Sequence, residues 1–88
     1  MKPSDVALWM QERLDKESCL YQDDVVDMLV KAKQEEHLRE NADGNQVLGR
    51  AVLNQFKKLN EETVVWVGPD KYWRFRVKED EPSRTARG

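Results

Sequence analysis

From Val6 to Leu14 apolar side chains recur three and four residues apart, and from Val64 onward they fall on alternate positions of a short ribbon. The first spacing belongs to an amphipathic helix, the second to a strand with one buried face. In "DVALWMQERLDKES", Val6, Trp9, Met10 and Leu14 share a stripe, while Gln11, Glu12, Arg13 and Asp15 lie elsewhere. Ser4 suits an N-cap and Asp5 the positive end of the helix dipole, so a first helix is predicted over about 4–17. "CLYQ" reads as a single edge strand. Asp23 reads as the next cap. "DVVDMLVKAKQEEHL" then forms a second helix, with Val25, Val26, Leu29, Val30 and Ala32 on its apolar side.

"RENADGNQVLG" breaks both periods. Asn41, Asp43, Gly44, Asn45 and Gly49 are turn formers and predict a loop. A third helix begins near Gly49 or Arg50 and carries "RAVLNQFKKLN", with Val52, Leu53, Phe56 and Leu59 directed inward. "TVVWVGPDKYWRFRV" then predicts a hairpin. With Gly68 to Lys71 as its turn, Val67 faces Tyr72, Trp66 faces Trp73, Val65 faces Arg74 and Val64 faces Phe75. Alternation places Val64, Trp66, Trp73, Phe75 and Val77 on one side, and Val65, Val67, Tyr72, Arg74 and Arg76 on the other. The closing segment "KEDEPSRTARG" has almost nothing to bury, which predicts a disordered charged tail over 79–88.

A lone hairpin is marginal in water, whereas pairing with "CLYQ" makes a three-stranded antiparallel sheet able to cover three helices. The predicted fold class is therefore α+β, a winged helix. It is a helix-turn-helix variant over 1–78 with the C-terminal hairpin as its wing.

Eighty-eight residues allow one domain. Neither a membrane span nor a signal-peptide core is legible, and the single cysteine, Cys19, forms no internal disulfide; a cytoplasmic location is expected. The formal net charge of −2 argues against an indiscriminate nucleic-acid binder. Its distribution changes that picture. Residues 1–48 carry six Lys/Arg against eleven Asp/Glu, whereas residues 49–78 carry seven against three.

The combination "LWM", "LYQDD", "ADGN", "VLNQFKKL", "TVVW" and "YWRFR" resembles a family of small uncharacterised bacterial and phage-borne proteins, a domain of unknown function. The likeness covers roughly residues 5–76. Its pattern is matched by Trp9, Leu20–Tyr21–Gln22, Asn41, Gly44 and Asn45, and Trp66 with Trp73. Gly49 departs from it, since an aspartate cap is more usual there. In style the chain is also similar to short orphan proteins carried on mobile elements. The resemblance implies a compact winged-helix-like fold and brings no activity or ligand.

Catalytic chemistry finds little support. A nucleophile needs a base within hydrogen-bond reach, and His37 and Cys19 are the only residues of their types. Cys19 reads as a packing residue and His37 as a C-terminal cap of the second helix. One His and one Cys do not make a structural zinc site. "RENADGNQVLGR" offsets its residues like a calcium loop but places Arg39 and Arg50 where carboxylates are required. Asp23, Asp24 and Asp27 are explained as a solvated helix start. No cofactor, metal, membrane or small-molecule substrate is expected, nor an enzyme.

Two binding readings remain. For duplex DNA, the third helix enters the major groove with Arg50, Asn54, Gln55, Lys57, Lys58 and Asn60 outward, while Lys71, Arg74 and Arg76 lie on the wing. For protein binding or homodimerisation, Val65, Val67 and Tyr72 of the outer wing face form the contact, mixed with the two arginines. The fold and the local positive excess favour a DNA-linked regulatory role; the total charge favours protein.

Overall fold

The structure, a computed structural model, describes residues 1–77 and 85–86. Helix α1 spans Pro3–Glu17. Its cap is Lys2 rather than the expected Ser4: the Lys2 backbone N–H donates to the Asp5 carboxylate at 2.9 Å. Pro3 at the first helical position loses nothing by lacking an N–H there. Ser18, left-handed at φ 67°, ends the helix and turns the chain into strand β1, Cys19–Tyr21.

Helix α2 covers Gln22–Lys31, starting before and ending well short of the stretch expected from Asp23 onward. Its end is closed by backbone geometry. The Gln34 N–H donates to the Leu29 carbonyl at 2.8 Å and the Lys33 N–H to that of Val30 at 3.1 Å, with Lys33 at φ 57°. This is a Schellman closure with lysine where glycine is usual, so no sequence punctuation marks it. A single 3-10 turn, Glu35–His37, follows. His37 consequently does not cap α2; its Nε2 lies 2.8 Å from the Met1 carbonyl.

The expected loop is largely a small hairpin. Strand β2, Leu38–Glu40, pairs antiparallel with β3, Gln46–Leu48. Asn41 fixes the turn, its Oδ1 accepting from the backbone N–H groups of Asp43 at 2.9 Å and Asn45 at 3.0 Å. Gly44 takes φ 80° within it. Helix α3, Arg50–Asn60, starts on Gly49, whose N–H donates to the His37 carbonyl at 2.7 Å. A Cβ on Gly49 would lie 3.0 Å from that same oxygen, so a side chain here would require the His37 carbonyl to give way.

Strands β4, Val64–Val67, and β5, Tyr72–Phe75, pair in the register read from the sequence, from Val64 opposite Phe75 to Val67 opposite Tyr72. β1 lies antiparallel on the other side of β5. The order β1-β5-β4 gives the three-stranded antiparallel sheet of a winged-helix-like α+β fold. A two-residue strand β6, Thr85–Ala86, pairs in parallel with β4 and extends the sheet to four strands. The expected tail otherwise lies outside the described residues. The helix-turn-helix expectation needs a further correction: that motif joins its helices by three or four residues, whereas here hairpin β2–β3 separates α2 from α3.

The core joins Val6, Ala7, Met10 and Leu14 of α1, Val25 and Leu29 of α2, and Val52 and Phe56 of α3 to Leu20, Leu48, Val64 and Trp73. Each large side chain so buried contributes roughly 1.5–3 kcal/mol. Four residues read as belonging to apolar faces are exposed, namely Leu59, Val30, Ala32 and Val77. Asn60, read as outward, is buried and donates through Nδ2 to Gln11 Oε1 at 2.8 Å, tying α3 to α1. No helix among the described residues is long and apolar enough to cross a membrane.

Candidate functional site

On α3 the buried positions Val52, Phe56 and Asn60 recur every fourth residue and face the core. The opposite side carries Arg50, Asn54, Lys57, Lys58 and Glu61, all exposed, at spacings of four, three, one and three residues. That spacing makes them one stripe of a 3.6-residue helix. Gln55, half-buried, flanks the stripe. Lys57 lies 3.9 Å from Glu61, an exposed pair that leaves the ammonium available because such pairs are worth little.

Clefts run along both sides of this stripe. One lies between α3 and the start of α1, bordered by Lys2, Ser4, Ala51, Gln55, Lys58 and Glu61. The other, about 440 Å³, is bounded by α3, hairpin β2–β3 and the core side of the main sheet. Leu53, Asn54 and Lys57 line it from α3, Arg39, Asn41, Val47 and Leu48 from the hairpin, and Trp66, Trp73 and Gln22 from the sheet side. Gln22 is only 8% exposed, and its side-chain amide has no hydrogen-bonding partner among the described residues.

The residues expected on the wing divide. Lys71 is exposed at the tip, at φ 55°, and its carbonyl accepts from the Gln22 backbone N–H at 3.0 Å, which keeps it at the cleft end of the molecule. Arg74 and Arg76 belong to the sheet face away from the core, so the fold does not bring them to the α3 stripe. Arg74 is half-buried and donates through Nη1 to the Phe75 carbonyl at 3.1 Å.

The outer wing face also differs from expectation. Val65 and Val67 are 0% and 1% exposed and form a small second cluster with half-buried Tyr72. β4 is an inner strand, flanked by β5 and β6, and Tyr72 packs against the two valines. What that face still exposes is chiefly Tyr21, whose ring lies 5.1 Å from that of Tyr72.

Sequence reasoning missed Lys2, Gln22, Arg39 and Asn41. Arg39 and Asn41 belong to a segment read as loop, and only the pairing of Arg39 with Val47 sets them facing α3. Gln22 read as the last residue of a strand. Among the described residues no group of three or more His, Cys, Asp or Glu is arranged to hold a metal ion.

A family model described as a family of unknown function (DUF6953) matches residues 2–75, and the chain belongs to that family. No curated protein and no solved structure matches it.

Proposed function

We propose that this member of a family without an assigned activity is a non-catalytic, duplex-DNA-binding module that presents α3 to the major groove. One observation carries the reading: Arg50, Asn54, Lys57 and Lys58 stand on a single exposed stripe with open clefts on both sides. A groove roughly 12 Å wide admits such a helix, and these residue types contact phosphates and base edges. Lys2 beside the N-terminus of α1 and Lys71 at the wing tip add cations near the two ends of the surface. Glu12, Asp15, Glu17, Asp23, Asp24 and Asp27 lie on α1 and α2, while the α3 stripe carries Arg50, Lys57 and Lys58 against Glu61, so the negative total does not exclude DNA.

A regulatory role follows only by analogy with other winged helices. A bacterial or phage-borne setting, a cytoplasmic location and carriage on mobile elements are consistent with it. The alternative of protein docking or homodimerisation through the outer wing has less support, because Val65 and Val67 are buried.

Gel retardation of mixed-sequence duplex DNA tests the proposal. Binding at low salt is expected, weakened at least about tenfold by Lys57→Glu/Lys58→Glu. Absence of any retardation at low salt would overturn it.

A further inference from the structure

We propose that the cleft between α3, hairpin β2–β3 and the main sheet binds a small ligand of the mononucleotide class, a planar heteroaromatic ring carrying one anionic group. This goes beyond the DNA reading and does not depend on it, since the duplex would meet the convex stripe of α3 whereas this site is concave. Its volume of about 440 Å³ falls within the roughly 300–1,000 Å³ usual for small-ligand sites.

Three features of the lining define the ligand. Trp66 and Leu53 supply apolar wall, and a half-buried indole is a surface on which a flat ring can stack. Gln22, a residue only 8% exposed, supplies an amide that reaches the cleft and has no partner among the described residues. That amide offers both a donor and an acceptor, the complement of the donor–acceptor edge of a nucleobase. Around these, Arg39 and Lys57 provide cations from opposite walls. Asn41 adds a donor: its Oδ1 is already engaged by two backbone N–H groups, so its free capacity is its NH₂. Among the described residues no aspartate or glutamate lines the cleft, and the set therefore favours an anion. An inorganic anion would leave the indole wall and the Gln22 amide unused, and a neutral ring would leave the cations unused.

The test is isothermal titration with the four ribonucleoside monophosphates, the corresponding nucleosides and inorganic phosphate. At least one monophosphate should bind saturably, with Kd at or below about 1 mM. Its nucleoside and phosphate alone should each bind at least about tenfold more weakly, because a site with positioned polar groups rejects ligands that leave them unpaired. Arg39→Glu and Gln22→Leu should each weaken the monophosphate by about tenfold or more. Arg39 is exposed, so its variant keeps the fold even if the Gln22 substitution does not; circular dichroism checks both.

Failure of all four monophosphates to bind at a concentration on the order of 10 mM would overturn the proposal. So would phosphate binding as tightly as the nucleotide, or nucleotide binding that Arg39→Glu leaves unchanged. Arg50→Glu/Lys58→Glu separates the two readings. Neither residue lines this cleft, so that variant should lose DNA retardation and keep nucleotide binding.

Discussion

Trp73 and Trp66 oppose each other on β5 and β4, yet their surroundings differ. Trp73 is 4% exposed, packed edge-on to Phe56 at 5.2 Å and tilted against Trp66 at 4.6 Å. Trp66 is half-buried and borders the cleft. Trp73→Ala is therefore expected to cost about 3–5 kcal/mol in urea denaturation, and Trp66→Ala distinctly less, because its truncation opens onto solvent instead of leaving a sealed cavity. Equal losses would contradict this difference in burial. Asn60 makes a complementary case among polar residues. Its amide bonds Gln11, which in turn donates to Asp15 at 3.0 Å. Asn60→Ala should cost about 1–3 kcal/mol, and combining it with Gln11→Ala should cost less than the sum. Additive losses in a double-mutant cycle would show that the bond does not couple the two helices.

Among the elements, α1, α3 and the wing were legible because each carries enough periods to fix its kind and its buried face. The end of α2 was not. Its apolar pattern runs on through Ala32, while a left-handed lysine and two backbone hydrogen bonds stop the helix at Lys31. A left-handed conformation costs a residue with a Cβ roughly 1–2 kcal/mol. Lys33→Gly should accordingly stabilise the protein by about 0.5–1 kcal/mol, raising Tm by a few degrees despite the entropy glycine adds to the unfolded chain. A lowered Tm would mean that Lys33 contributes contacts that outweigh its backbone strain. Hairpin β2–β3 is not legible in the sequence for another reason. Three residues per strand are too few to display alternation, so only its turn residues could be read.

At the scale of the whole molecule, charge is segregated. The acidic excess falls in residues 1–48 and the basic excess in residues 49–78. The fold narrows the basic group by turning Arg74 and Arg76 to the far face of the sheet and adding Lys2, and Arg39 across the cleft. If Arg50, Lys57, Lys58 and Lys71 each neutralise one phosphate, log K for DNA should fall with log salt with a slope of roughly −4. The Lys57→Glu/Lys58→Glu variant should show a shallower dependence by about two in that slope. A salt-independent affinity would exclude this mode of binding.

By itself the sequence determined the three helices, the hairpin, its residue-by-residue register and the α+β winged-helix-like arrangement. The helices, the hairpin and its register follow from local periodicity and turn chemistry, and the arrangement from the need of a lone hairpin for a third strand. Tertiary structure alone decided which faces stay open. Burial of Val65 and Val67, inversion of Leu59 and Asn60, and separation of Arg74 and Arg76 from α3 depend on neighbours distant in sequence. The cleft is the clearest instance. Gln22, Arg39 and Lys57 share no period or motif, and meet only because hairpin β2–β3, packed on α2, faces α3 across the cleft.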